Sequence, residues 1–268
     1  MLSRKGARKA ADIPAVVIEL LHKGQLESVN LTEWLAVDHA ILLQNVLVES
    51  GLEGAAERII GRLNEQAETS VMKLIPVIAK ELLLVLKEQP DGAGSRIFSE
   101  LANHRSDSVR CWAAYMIGEN DRLTAIEKLE KIRPFAADLH FGVREIAWMA
   151  LRETVINNLT ECLALLLAWV ADENANVRRF AIELTRPRGV WAKHIAVLKE
   201  NPALGLPLLE PVKSDAVKYV QDSVSNWLND ASKSNPEWVI RTCAQWLEVS
   251  DTKDTKRIVT RAKRSLGK

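Results

Sequence analysis

Apolar residues recur at spacings of three and four along nearly the whole chain, and strand-like alternation is almost absent. Turn residues interrupt the pattern at intervals of roughly 12 to 20 residues, so the pattern predicts about a dozen helices and no strand. Ile13, Val16, Val17, Leu20 and Leu21 form one amphipathic stripe, with Pro14 suited to a first turn and Gly24 to the close. Asn30-Leu31-Thr32 starts a helix expected to run to Gly51. Val71 to Leu86 is the most apolar stretch. It holds Lys73, Lys80 and Glu81 and is too short to span a bilayer, so it is expected to be a buried core helix. Pro90-Asp91-Gly92-Ala93-Gly94 marks a turn, and Asn235-Pro236 a helix start.

An internal repeat sets the expected architecture. Ser106-Asp-Ser-Val-Arg-Cys-Trp-Ala-Ala, His140-Phe-Gly-Val-Arg-Glu-Ile-Ala-Trp, Asn174-Ala-Asn-Val-Arg-Arg-Phe-Ala-Ile and Val217-Lys-Tyr-Val-Gln-Asp-Ser-Val-Ser align on Val109, Val143, Val177 and Val220. The anchors are 34, 34 and 43 residues apart, and one helical turn on stand Ala113, Ala147, Ala181 and Val224. Two helices per unit at this period predict an all-α fold, a HEAT-like repeat α-solenoid whose stacked units build an α-α superhelix with a concave face. The chain reads as a single helical-repeat domain, 1–268. Residues 1–104 supply N-terminal helices, 105–245 the clearest repeats, and 246–268 a basic C-terminal helix or tail. Arg110, Arg144 and Arg178 follow their anchors, forming either a ladder on one face or a set of structural ion pairs.

Composition adds limits. The 268 residues are 47% hydrophobic and 26% charged with a net charge of +1, which excludes a disordered chain. Cys111, Cys162 and Cys243 are too scattered for a disulfide framework, and no signal peptide or membrane span is evident. A reducing, cytoplasmic setting is the expectation. The charge is unevenly placed: residues 1–10 carry +4 and residues 251–268 carry +5, leaving the interior at −8. Within that interior, Asn176 to Lys199 holds six basic residues against Glu183 alone. Basic segments on an acidic background point to a polyanion partner.

Most familiar chemistry is missing. The five histidines, His22, His39, His104, His140 and His194, never pair with Cys or Glu at metal-ligand spacing. No Walker loop or Gly-x-Ser-x-Gly elbow occurs, so no metal and no cofactor are expected. Two segments stand out instead. In Val177–His194, Pro187 breaks the repeat helix one turn past Glu183, and Arg186, Arg188, Trp191 and Lys193 gather around the break. Guanidinium forks fit phosphate oxygens and Trp can stack on sugar or base, although Glu183 could equally be a counter-ion for Arg178, Arg179 or Arg186. In Val220–Val239, Asn226 falls six residues after its anchor, the register of Glu183, and Asp230 lies one turn beyond; it either joins Glu183 or caps the turn before Pro236. Trp112, Trp148 and Trp169 fit core stripes, whereas Trp191 and Trp227 stand among polar neighbours and are expected at the surface.

These segments resemble the HEAT-like repeat DNA alkylation repair family, the AlkC/AlkD superfamily of DNA glycosylases, and more closely its AlkC branch. Arg178-Arg179-Phe-Ala-Ile-Glu183-Leu-Thr-Arg186-Pro-Arg188 is similar to that branch's Arg-Arg-(apolar)-x-Ser-Glu-Gly-Thr-Arg-Pro-Arg stretch. Leu228-Asn229-Asp230-Ala-Ser-Lys233 is similar to its Leu-Asn-Asp-Ile-Ser-Lys stretch. The likeness covers about residues 105–245. It implies a protein that wraps double-stranded DNA and excises N3- or N7-alkylated purines without flipping the base out. A carboxylate beside the deoxyribose would stabilise the oxocarbenium charge. Glu183 and Asp230 match the acidic positions. Asn226 stands where the AlkD branch has Trp and the AlkC branch Asn, while a third acidic position appears here as His140, a possible accessory residue.

The expectation is thus a monomeric, monofunctional alkylpurine DNA glycosylase with Glu183 and Asp230 catalytic. Arg144, Arg178, Arg179, Arg186, Arg188, Lys193 and Lys233 would hold phosphates, with Trp191, Trp227 and Asn226 against the DNA. Two alternatives remain: a non-catalytic binder of branched or damaged DNA, and a protein–protein scaffold. Burial of both acids in ion pairs away from a basic trough would remove the enzymatic reading.

Overall fold

The computed structural model describes residues 4–65 and 70–266, whose regular elements are all helices, without strands. In chain order the helices are α1 (Ala15–His22), α2 (Leu31–Leu35), α3 (His39–Glu49), α4 (Glu53–Asn64), α5 (Val71–Glu88), α6 (Ala93–Ala102), α7 (Asp107–Glu119), α8 (Ala125–Ala136) and α9 (Phe141–Ala150). They continue as α10 (Arg152–Asn157), α11 (Leu159–Leu166), α12 (Ala175–Leu184), α13 (Ala196–Glu200), α14 (Leu206–Leu209), α15 (Lys218–Ser232), α16 (Pro236–Val249) and α17 (Lys253–Ala262). Among the described residues, no helix is long and apolar enough to cross a membrane.

The chain forms two compact units: one runs up to Arg122 and adds Leu139–Ala150, the other comprises Leu123–Asp138 and the chain from Leu151 onward. In the first, Leu42, Leu43, Ile75, Ile78, Leu82 and Trp112 are fully buried, and α5 is the core helix its sequence predicts. The helix expected from Asn30 to Gly51 is two helices. Asp38 accepts from Ala40 N and Ile41 N and so caps a fresh N-terminus in the middle of the stretch. In the second unit, Phe180, Val224, Trp227 and Trp246 anchor the interior.

The repeat register is observed directly. Val109, Val143, Val177 and Val220 sit on α7, α9, α12 and α15, and they and the residues four positions on are fully buried. A second register follows nine residues after each anchor, at Gly118, Arg152, Arg186 and Asn229. In three of these four cases that residue meets the last carbonyls of a following repeat helix. Gly118 lies so close to Ala150 that an added Cβ would stand 2.1 Å from its carbonyl oxygen. Arg152 Nη1 donates to Leu184 O at 2.6 Å, and Asn229 Nδ2 to Ala262 O at 3.0 Å. C-terminal carbonyls lack intrahelical donors, so a side-chain amide or guanidinium there satisfies them.

Candidate nucleic-acid site

The site is built at the C-terminal end of α12, where Pro187 stops the helix and the chain enters a loop before α13. Arg152, 2% exposed, organises that loop. Besides Leu184 O, its Nε donates to Lys193 O at 2.7 Å and its Nη2 to Arg186 O. Burial and the neighbouring Arg186 pull the Arg152 guanidinium down to about 10, which leaves it charged at neutral pH. The loop closes on itself through Ile195 N donating to Pro187 O at 3.1 Å. Its tip presents Val190 and Trp191, the latter 64% exposed and with φ at 58°, a left-handed conformation that costs a bulky side chain energy.

Beneath the loop, Arg186 joins the two acids. Its Nη1 donates to Glu183 Oε2 at 3.0 Å, its Nε to Asp230 Oδ2 at 2.9 Å, and its Nη2 lies 2.8 Å from the same Asp230 oxygen. Glu183 also accepts from Ser223 Oγ at 2.6 Å, with Arg179 Nη2 at 3.7 Å. Burial raises the Glu183 pKa, but the Arg179 and Arg186 charges and the Ser223 hydroxyl outweigh it, so the carboxyl titrates below its ordinary range. Asp230 Oδ1 faces Lys233 Nζ at 3.4 Å, and that lysine side chain is 47% exposed. Both carboxylates are themselves buried, at 3% and 4% exposure. They are therefore held in ion pairs, and those pairs lie next to solvated cations.

Arg188 reaches Ser234 Oγ at 2.7 Å, a neutral partner, and its Nε is buried with no hydrogen-bond partner among the described residues. His194 lies within electrostatic reach of Arg188, Arg152 and Asp230; slight burial and nearby cations hold its pKa below the usual imidazole value. Asn226, half-buried on α15, accepts from Arg264 Nη2 at 2.8 Å.

Several expected site residues take other places. Trp227 is fully buried, a correction to its expected surface position. It shares the α15 face of Val220 and Val224, donates from Nε1 to Thr185 O at 3.0 Å and packs over Gly205. Its polar sequence neighbours lie on the other faces of the helix. Arg178 is occupied by Asp215, at 2.6 Å, and by the Asp172 and Glu173 carbonyls. Arg179 lies 4.2 Å over the Tyr219 ring beside Glu183, and Lys193 pairs with Glu153. Arg178 and Arg179 are thereby committed to internal partners, whereas Lys193 and Glu153 form a solvent-exposed pair.

His140 and Arg144 belong to the first unit. Gly142 N donates to His140 Nδ1 at 3.2 Å, which leaves His140 Nε2 as the donor to Ser28 O at 2.7 Å. Ser28 in turn donates from N and Oγ to Asp107, at 3.0 and 2.8 Å. His140, 8% exposed, is thus a buried tie among Ser28, Asp107 and α9, not an accessible accessory group. Arg144 donates to Leu139 O at 2.8 Å, closing the turn before its own helix as Arg110 does at His104 O and Arg105 O.

The sequence reading missed Arg152, Ser223 and Arg264. Arg152 carried a signal, since it stands nine residues after Val143 as Arg186 does after Val177. Ser223 lies within the Val220–Val239 stretch without any acid, base or aromatic character to mark it, and Arg264 lies outside both stretches.

The fold and the site define an all-α protein of HEAT-like repeats that carries a cation-flanked pair of buried carboxylates. A model of the DNA alkylation repair enzyme family matches residues 98–262, and the chain belongs to that family. Among curated relatives, the uncharacterized protein YhaZ of Bacillus subtilis (strain 168) is 39% identical over 117 residues, which are 44% of this chain and 32% of that protein. Among solved structures, the Pseudomonas fluorescens alkylpurine DNA glycosylase AlkC, bound to DNA containing an abasic site analog, superposes with a TM-score of 0.68. That match is 22% identical and covers 97% of this chain and 65% of AlkC. AlkD2 from Streptococcus mutans gives 0.60 at 21% identity, covering 80% of this chain and all of that one. The chain thus spans about a third of YhaZ and just under two thirds of AlkC.

Proposed function

We propose that this protein binds double-stranded DNA and hydrolyses the N-glycosidic bond of N3- or N7-alkylated purines. The observation that carries the reading is the convergence of Glu183 and Asp230, from successive repeat helices, on one guanidinium beside Lys233 and Arg188. Alkylation puts positive charge on the purine, so the base leaves readily with the bonding electron pair. The cost of the step is the cation left at C1′. A carboxylate fixed in advance and kept ionised by arginines stabilises that cation without reorganising. Water adds to C1′ and gives up a proton, for which Asp230 is the more open acceptor because its Oδ1 faces the half-exposed Lys233 at 3.4 Å. Arg186 holds both acids in position and spreads their charge.

Single-turnover release of 3-methyladenine or 7-methylguanine from methylated duplex tests this. Glu183→Gln and Asp230→Asn should each slow release by about 10²-fold or more. Release by wild type at the spontaneous rate, unchanged in both variants, overturns the catalytic assignment.

A second reading has its own support. Both acids are buried and paired with Arg186, and the third acidic position is a buried histidine. A binder of branched or damaged DNA needs the cations but no free carboxylate. Competition between a junction and a linear duplex, beside the release assay, separates the two, and no DNA affinity at low salt would favour a protein scaffold.

A further inference from the structure

The basic C-terminal helix has a graded set of acceptors. Its arginines face α15 in succession: Arg257 donates to Gln221 Oε1 at 3.0 Å and Asp222 Oδ1 at 2.7 Å, and Arg261 Nε lies 3.1 Å from the same Asp222 oxygen. One turn along α15 from Asp222, the acceptor changes from a carboxylate to the amide of Asn226, and this amide receives Arg264. Arg264 Nη1 donates to Arg261 O at 2.7 Å. Both acceptors are neutral, and Arg264 makes no ion pair among the described residues. It is also exposed. An amide fixes where a guanidinium points without cancelling its charge, whereas Asp222 does both.

The turn that carries Arg264 is docked from both sides. Asn229 donates to Ala262 O at 3.0 Å and accepts from Ser265 Oγ at 3.3 Å. Asn226 and Asn229 thus hold the segment against α15 next to Asp230. The Arg264 charge is coupled to Asp230 and Arg186 as well as to Arg261 and Asp222. Arg188 has the same electrostatic character, with a hydroxyl as its partner and an unpartnered buried Nε. Around Asp230, then, the guanidiniums of Arg186 and Arg179 are spoken for, while those of Arg188 and Arg264 are aimed by neutral groups and keep their charge available.

We infer that Arg264 is a DNA phosphate-binding residue, oriented by Asn226 so that a strand backbone is held beside Asp230. This rests on the reading of the chain as a DNA-binding repair protein, and it extends the site into a helix end beyond residue 262, where the family match stops. Asn226 acts through Arg264 and is a positioning residue.

The test measures DNA affinity against salt for an undamaged oligonucleotide duplex and for the same duplex with a tetrahydrofuran abasic analogue. Neither needs turnover. Arg264→Gln should lower the slope of log affinity against log salt by about 0.9, the loss of one phosphate contact. Arg264→Lys should restore the slope, since the charge returns. Asn226→Asp should reproduce the loss with Arg264 still present, because the new carboxylate neutralises it. An unchanged slope in Arg264→Gln overturns the proposal, as does an Arg264→Lys variant no better than Gln, which would mark a packing role. Binding with the expected slopes but no base release would remove the glycosylase reading and leave this one intact. A wild type whose binding ignores salt would remove both.

Discussion

The Arg152 guanidinium lies 2.6 Å from the carbonyl oxygen of Leu184, the last residue of α12, and one side chain thereby caps a helix and shapes the loop after it. Its other nitrogens reach the carbonyls of Arg186 and Lys193 on either side of the Trp191 tip. Arg152→Ala orphans buried carbonyls and releases the left-handed turn. A loss of about 3 kcal/mol in denaturant unfolding is expected, with faster proteolytic cutting between 187 and 195. Arg152→Lys should recover little, because an ammonium lacks the planar fork that spans these acceptors.

The two acids and Arg186 behave as one unit. Arg186→Gln leaves two buried carboxylates without their shared counter-charge and should cost about 3–5 kcal/mol. In that background Asp230→Asn should become stabilising, although in the wild type it is destabilising. A double-mutant cycle by chemical denaturation reads the change of sign, and simple additivity of the two effects would show that the acids do not share Arg186.

The two loop and core tryptophans should separate stability from binding. Trp227→Ala opens a cavity against Gly205 and frees Thr185 O, costing about 3–5 kcal/mol. Trp191→Ala removes an exposed side chain and should move stability by less than about 0.5 kcal/mol while weakening duplex binding.

Acid should destabilise the first unit through His39. The residue is fully buried, accepts from Trp112 Nε1 at 2.9 Å, and burial drives its pKa to about 4. The unfolded chain binds the proton first, near pH 6.5, so stability falls as pH drops from about 6.5 to about 4, by about 3 kcal/mol in total. Above that window His39 contributes no pH dependence. Unfolding followed across the window should flatten in His39→Gln. Glu183 works at lower pH: its depressed pKa gives stability that is present above about 4.5 and is lost as pH falls through the folded value.

How far the sequence reaches depends on the range of the interaction. The anchors Val109, Val143, Val177 and Val220 and their partners one turn on were legible because a helix repeats its faces at fixed spacing and each unit must bury the same stripe. Pro187 as the end of α12 and the approach of Asp230 to Glu183 were legible for the same reason, since register within neighbouring repeats fixes which turns face each other. The split of the Asn30–Gly51 helix turned on a local cap at Asp38, and Trp227 on which face of α15 it occupies.

What only the tertiary structure decided is how the charges are shared out. Sequence supplied a cluster of arginines around two acids. The fold assigned Arg178 to Asp215, Arg186 to Glu183 and Asp230, Arg152 to backbone carbonyls, and Arg264 to a neutral amide. A basic residue's worth to a ligand depends on whether its charge is already compensated. Apart from the Arg186–Glu183 pair within one turn, that compensation comes from partners tens of residues away, at a distance no periodic pattern along the chain encodes.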